Sequence, residues 1–213
     1  MQFFKILNEI KNGNSLTRSL IHFEVENCYI GGRVLDVGGR GGRPRYLDFF
    51  KIDREFKWEN IDQKANKEFN LEVDRFPYAE EGIDQILIFN LLEHIYNHKF
   101  VIGESFRVLK KEGQMIGFVP FMINYHPDPH DYFRYTKEAL FRIFSEAGFD
   151  DIVIKEVGGG PFLVNYNNIV LSIPIILRLL LFPFYYSLDC LFVKLRPKSR
   201  SRYPLGYYFV LKK

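Results

Sequence analysis

Cysteine is nearly absent: the 213-residue chain has two, Cys28 and Cys190, far apart, with no CxxC or Cys/His cluster near either. That excludes a disulfide framework and a cysteine zinc site, and reads as two reduced thiols in an intracellular protein. A secretory signal is missing too. The first stretch, MQFFKILNEIKNGNS, has neither a long apolar core nor a small-residue cleavage site, so the chain is expected to stay in the cytoplasm. No internal repeat and no low-complexity tract interrupts it. Acidic residues vanish from Lys194 onward, where seven of the 29 Lys and Arg fall, which leaves the preceding body mildly acidic. A basic tail of this kind suits an anionic partner surface, phospholipid or nucleic acid, or is a solvated terminal face.

The remaining composition is that of an ordinary globular protein, 47% hydrophobic and 26% charged, with an unusually high 17% of aromatics. The length suits one domain over 1–213 with an appendage. Short β-rich runs alternate with helical patterns from residue 33 to about 156. Arg33–Val37, Lys57–Ile61 and Ile83–Phe89 read as strands, the last apolar enough to be covered on both faces. Residues 97–109 read as a helix stopped by Lys-Lys-Glu-Gly, 114–119 as a strand, and 136–147 as a helix capped by Thr136 and closed by Gly148. Strands follow at 152–157 and 207–211, and 15–27 reads as an amphipathic helix leading into the first strand. Such alternation predicts a parallel α/β sheet with right-handed crossovers. If the last strand pairs with 152–157, the segment between them, 161–202, is an insertion in a hairpin.

The stretch RVLDVGGRGG, residues 33–42, ends the first strand in a glycine turn. A phosphate loop requires GxxxxGK[ST], and no Lys-Ser or Lys-Thr follows these glycines. The dinucleotide fingerprint from Gly39 requires glycine where Pro44 stands, and Asp36 would face a pyrophosphate unfavourably. S-adenosylmethionine (SAM) suits the turn better: it has a sulfonium and an ammonium and no phosphate. Asp62, ending the next strand, is placed to accept both hydroxyls of a ribose, or is an ordinary turn acid.

FNLLEHI, 89–95, completes a pattern. VLDVGGRGG, NIDQ, FNLEVDRFPY, IDQILIFNLLEHI, RVLKKEGQMIGFVP and HPDPHDYFRYTKEAL, in that order, resemble the class I SAM-dependent methyltransferases over about 15–160 plus the last strand. The nearest branch is similar to bacterial polysaccharide-cluster methyltransferases. The resemblance implies a Rossmann-like, mostly parallel seven-stranded sheet flanked by helices, its last strand antiparallel. It also implies that Asp36, Gly38, Gly39 and the turn through Gly42 border the methionine part of SAM. Asp62 would hold the ribose, Asn70 and Leu71 the adenine, and Asn90 and Leu91 would flank the cofactor. Two positions depart from the family: Arg40 stands at the middle glycine of DxGxGxG, expected to point away from the cofactor or meet its carboxylate, and Asn70 replaces the usual acid.

Methyl transfer from a sulfonium chiefly needs donor and acceptor aligned, and a hydroxyl acceptor also needs a base. FMINYHPDPHDYFRYT supplies candidates: His126 or His130 as the base, Asp128 or Asp131 to orient it, and Tyr132 and Arg134 to hold the acceptor. Arg134 is either a clamp for an anionic acceptor or the ion-pair partner of Asp131. His94 reads as a hydrogen-bonding residue at a helix start. Two His with two Asp could instead hold a divalent metal, but without a third firm ligand no metal is expected.

Residues 169–195 are strongly apolar. Arg178 and Asp189 cut the run, and Pro174 and Pro183 are expected to break any helix, so two short helices lying in a membrane interface are expected in place of a span. Peripheral membrane contact through 169–202, a homodimer interface and an acceptor lid are the open readings. The functions that follow are O-methylation of a sugar or lipid-linked glycan in surface polysaccharide biosynthesis at the inner face of the membrane, methylation of a small molecule or quinone-like lipid, or a non-catalytic docking subunit. No nucleic-acid partner is expected, since no Asn/Asp-Pro-Pro-aromatic motif occurs and the basic residues sit in the tail.

Overall fold

The computed structural model describes residues 2–39, 42–62, 69–170 and 172–213. Helix α1 (Gln2–Lys11) buries Ile6 and Ile10. Helix α2 (Leu16–Val25) starts where the Ser15 hydroxyl accepts from the Arg18 amide at 3.2 Å. Strands β1 (Tyr29–Ile30) and β3 (Lys51–Ile52) make a small parallel pair. The main sheet takes β2 (Arg33–Val37), β4 (Lys57–Ile61), β5 (Ile83–Phe89), β6 (Leu109–Pro120), β7 (Asp151–Val157) and β8 (Gly206–Lys212). Between them lie α3 (His98–Val108), α4 (Lys137–Glu146), α5 (Pro161–Val170) and α6 (Ile175–Leu195).

The strand order is β4-β2-β5-β6-β8-β7, with β4, β2, β5 and β6 parallel and β8 antiparallel to both of its neighbours. The α/β class and the antiparallel last strand agree with the sequence reading. Among the described residues the main sheet has six strands, not seven; residues 63–68 lie outside them. Alternate residues of the central strands feed two cores. Leu35, Ile86 and Ile88 face one with Phe144 and Phe209, while Val34, Leu87 and Phe118 face the other with Val25 and Leu47. Strand β6 begins five residues before the predicted 114–119, because Glu112 takes a left-handed φ of 61° and lets the polar Lys-Lys-Glu-Gly run turn within the strand.

The insertion between β7 and β8 corrects one expectation. Pro183 lies inside a continuous 21-residue helix, α6. Loss of one backbone hydrogen bond there is tolerated because Phe182, Tyr185 and Tyr186 pack into a third apolar cluster with Ile6, Ile10, Leu163 and Tyr166. Asp189 does not cut the helix either. It is buried and caps α5 from outside: its carboxylate accepts from the amides of Gly160 (2.7 Å), Phe162 (3.0 Å) and Leu163 (3.0 Å). A side chain at Gly159 would come within 2.4 Å of that carboxylate, which accounts for the glycines that open the insertion.

Candidate active site

The carboxyl ends of β2, β4, β5 and β6 carry the site, as expected of an open α/β sheet. At the tip of β2, Asp36 is buried and accepts from the Tyr46 hydroxyl at 2.5 Å; burial pushes its carboxyl up to about 6, and the same burial with the nearby Asp36 charge raises the Tyr46 phenol. The turn then needs glycine twice. Gly38 has φ of 87° and a side chain on it would strike Leu91 at 2.7 Å, while one on Gly39 would fall 2.1 Å from the Asp36 carboxylate. Arg40, expected to avoid the cofactor or meet its carboxylate, lies outside the described residues.

Two cavities meet at this turn. The smaller, about 450 Å³, is lined by Gly38, Asp62, Asn70, Leu71, Asn90, Leu91, His130 and Tyr132 among others. The larger, about 820 Å³, is lined by Asp36, Gly38, Gly39, Gly42, Tyr46, Asn90, His94 and His126 among others. Gly38, Asn90, His94 and Asp128 line both. All nine residues expected at the cofactor therefore line one cavity or the other, with Asp62 and Leu71 at one end and Asp36, Gly39 and Gly42 at the opposite end. Asp62 is itself buried. Asn70 departs in detail: its side-chain oxygen accepts from the Glu72 amide at 2.9 Å and its own amide donates to Asp74 at 2.7 Å. The side chain thus shapes its own turn while lining the smaller cavity.

The loop between β6 and α4 divides the remaining candidates. Asp131 braces the loop and the backbone of His126. It binds both terminal nitrogens of the Arg134 guanidinium and accepts from the His126 amide at 2.9 Å, and the Arg134 charge holds its carboxyl down to about 2. Arg134 is consumed by this pair and by the carbonyl oxygens of Phe133 (2.9 Å) and Asn124 (3.3 Å), so it is not available as an acceptor clamp. His130 and Tyr132 stack loosely, 5.1 Å between centroids, over the cavity that holds Asp62. Neither residue lines the larger cavity. His126 alone of the two histidines lines the larger cavity.

What the sequence reading missed is the pair after β5. Glu93 is fully buried, and neither of its carboxylate oxygens has a hydrogen-bond partner. The His94 and His126 Nε2 atoms stand 3.6 and 3.7 Å from its Oε1. The Glu93 carboxylate raises the affinity of His126 for a proton, against the opposing effect of burial. The backbone around Glu93 is fixed by the Tyr132 amide, which donates to the Glu93 carbonyl at 2.7 Å, and by the Tyr135 hydroxyl on the Leu92 carbonyl at 2.9 Å. The signal was present as Glu-His directly after an apolar strand, but the sequence does not say that a residue 32 positions later would join it.

Residues 35–117 match the methyltransferase domain family. Among curated proteins nothing matches the chain. The fold is shared with a SAM-dependent methyltransferase from Archaeoglobus fulgidus, 17% identical, over 97% of this chain and 98% of that one, with a TM-score of 0.57. It is shared as well with the [4+2]-cyclase SpnF, 15% identical over 93% and 80% of the two chains, TM-score 0.56. A third neighbour is phosphoethanolamine N-methyltransferase 2 of Haemonchus contortus in complex with SAM, 15% identical over 91% of this chain and 51% of that one, TM-score 0.53. At these identities the structures establish a common fold and leave the chemistry to the site.

Proposed function

We propose, for a chain whose residues 35–117 match the methyltransferase domain family and whose fold is shared with a SAM-dependent methyltransferase, that it transfers a methyl group from SAM to a hydroxyl of a sugar or a lipid-linked glycan. SAM, when bound, supplies an activated methyl group on a sulfonium. The observation that carries the reading is the meeting of the two cavities at Gly38, Asn90, His94 and Asp128. In it, Asp62 accepts from the ribose hydroxyls and Leu71 and Leu91 give the base an apolar seat. Asp36 and the glycine turn lie toward the cationic methionine end. The acceptor occupies the larger cavity with its hydroxyl against the His94, His126 and Glu93 group, where orientation supplies most of the rate.

Support for a lipid-linked acceptor comes from α6. Its outward face repeats apolar groups at Ile176, Leu180, Phe184, Leu191 and Leu195, with Leu180 68% and Phe184 60% exposed. By length and composition it is a helix able to cross a membrane, yet Asp189 ties it to α5 against the body. The basic run Lys194, Arg196, Lys198, Arg200 and Arg202 follows it directly. An apolar stripe beside a cluster of cations suits the interface of an anionic membrane, on its cytoplasmic side.

Calorimetry with SAM and S-adenosylhomocysteine, followed by turnover on candidate glycans and lipids, tests the assignment. Wild type should bind both ligands, and His126→Ala should bind them equally well while losing turnover. Binding of neither would leave the docking-subunit reading; turnover only on a quinone-like lipid would replace the glycan.

A further inference from the structure

A fully buried carboxylate with no hydrogen bond is expensive unless something else satisfies it. Glu93 is that group, and its surroundings have the features of a metal site. Two imidazole nitrogens approach its Oε1, and their 3.6 and 3.7 Å separations are too long for hydrogen bonds. Both fit the span between two ligands of one ion, whose bonds to nitrogen and oxygen run about 2.0–2.2 Å. One ligand atom from each of Glu93, His94 and His126 lies within 4.8 Å of the others.

The tautomers point the same way. His94 Nδ1 sits 2.5 Å from the His130 carbonyl oxygen and His126 Nδ1 sits 2.8 Å from the Asn124 carbonyl oxygen. A carbonyl oxygen only accepts, so in each ring Nε2 is the nitrogen turned toward Glu93 and Nδ1 is the one that donates to the carbonyl. For His126 that contact is closer than the Arg134 nitrogen at 3.4 Å or the Asp131 oxygen at 3.7 Å. An imidazole whose far nitrogen is pinned by a carbonyl is the usual arrangement of a metal-binding histidine. The two rings meet edge to face at 86° with centroids 5.3 Å apart.

We propose that Glu93, His94 and His126 bind one divalent first-row transition-metal ion at the junction of the two cavities. Two neutral imidazoles and one carboxylate suit manganese, iron or zinc, and three protein ligands leave coordination positions open toward the larger cavity. The role of the ion rests on the methyl-transfer reading; its binding does not. In that role it holds the acceptor hydroxyl and makes it more acidic, and His126 is a ligand in place of a base. The hydroxyl proton leaves to solvent, the oxygen forms a bond to the methyl carbon, and the carbon–sulfur bond breaks with its electron pair kept by sulfur.

Mn2+ titration of the metal-stripped full chain, read by the spin-resonance signal of free Mn2+ and by Zn2+ competition, tests this directly. Wild type should bind one equivalent, Glu93→Gln and His126→Ala should each weaken binding about tenfold or more, and His130→Ala should leave it unchanged. Because His126 is on a surface loop, its variant remains a fair test should Glu93→Gln fail to fold. Absence of saturable binding by wild type, or binding that survives His126→Ala, overturns the site. SAM calorimetry on the same samples separates the two readings: Mn2+ bound without SAM leaves the ion site and removes methyl transfer, and SAM bound without either metal does the reverse.

Discussion

Asp36 is held in conflict between burial, which favours its neutral form, and the cationic ligand proposed beside it. Its carboxyl is raised from 3.8 to about 6 in the folded chain. Stability drawn from the neutral form is therefore present at low pH, is lost as pH rises from about 4 to 6, and is constant above that. A sulfonium ligand reverses the preference, so SAM affinity should climb across the same interval and binding near pH 5 should release a proton. Calorimetry in buffers of different ionisation enthalpy measures that release, and Asp36→Asn should abolish it. Asp62→Ala should weaken SAM by about 2 kcal/mol, roughly thirtyfold, through lost charge-assisted hydrogen bonds; an unchanged constant would remove the ribose role. Asp131 has the opposite sign. Its carboxyl is lowered from 3.8 to about 2 by Arg134, so its contribution is intact above pH 4 and lost as pH falls toward 2. Residue identity was legible where the backbone dictates it, as at Gly38 with its left-handed φ. It failed where a side chain had several equivalent futures. Arg134 looked like a clamp because nothing in HDYFRYT shows that Asp131 would take both of its terminal nitrogens.

Among the elements, β2, β4 and β5 coincide with their sequence readings because each is a short run bounded by turn residues and apolar where the sheet buries it. Helix α6 was misread because proline rules describe the cost of one lost hydrogen bond and say nothing of the tertiary packing that offsets it. Asp189 is the second reason, since a charge in an apolar run looks like an interruption until its three amide partners are known. Asp189→Ala leaves those amides without an acceptor and should destabilise the fold by roughly 3 kcal/mol, lowering the thermal midpoint by about 6–12 °C. Differential scanning calorimetry reads this, and a shift under 2 °C would show that the cap contributes little.

At the scale of the whole molecule, the exposed face of α6 and the basic run after it are continuous, and their effects should be separable. Wild type should float with liposomes containing anionic phospholipid. Leu180→Asp with Phe184→Asp should abolish flotation, whereas raising salt should weaken it only in part, since ions screen the headgroup attraction and leave the apolar term. Failure of wild type to float would remove the membrane from the account and leave a second copy of the chain or an acceptor lid as the role of that face. The existence of this apolar segment was plain in the sequence. Its direction was not, because a helix apolar on every side has no hydrophobic period to read.

Strand β8 lies between β6 and β7 and hydrogen-bonds to both from Gly206 to Lys212. It is also the last of these elements to leave the ribosome. Until it does, two neighbouring strands have open flanks and the insertion has already been made, so the nascent sheet must wait, gapped, for its final ribbon. A chain stalled before residue 206 should expose pairing edges on both sides of one missing strand, and a synthetic 206–212 peptide should complete it.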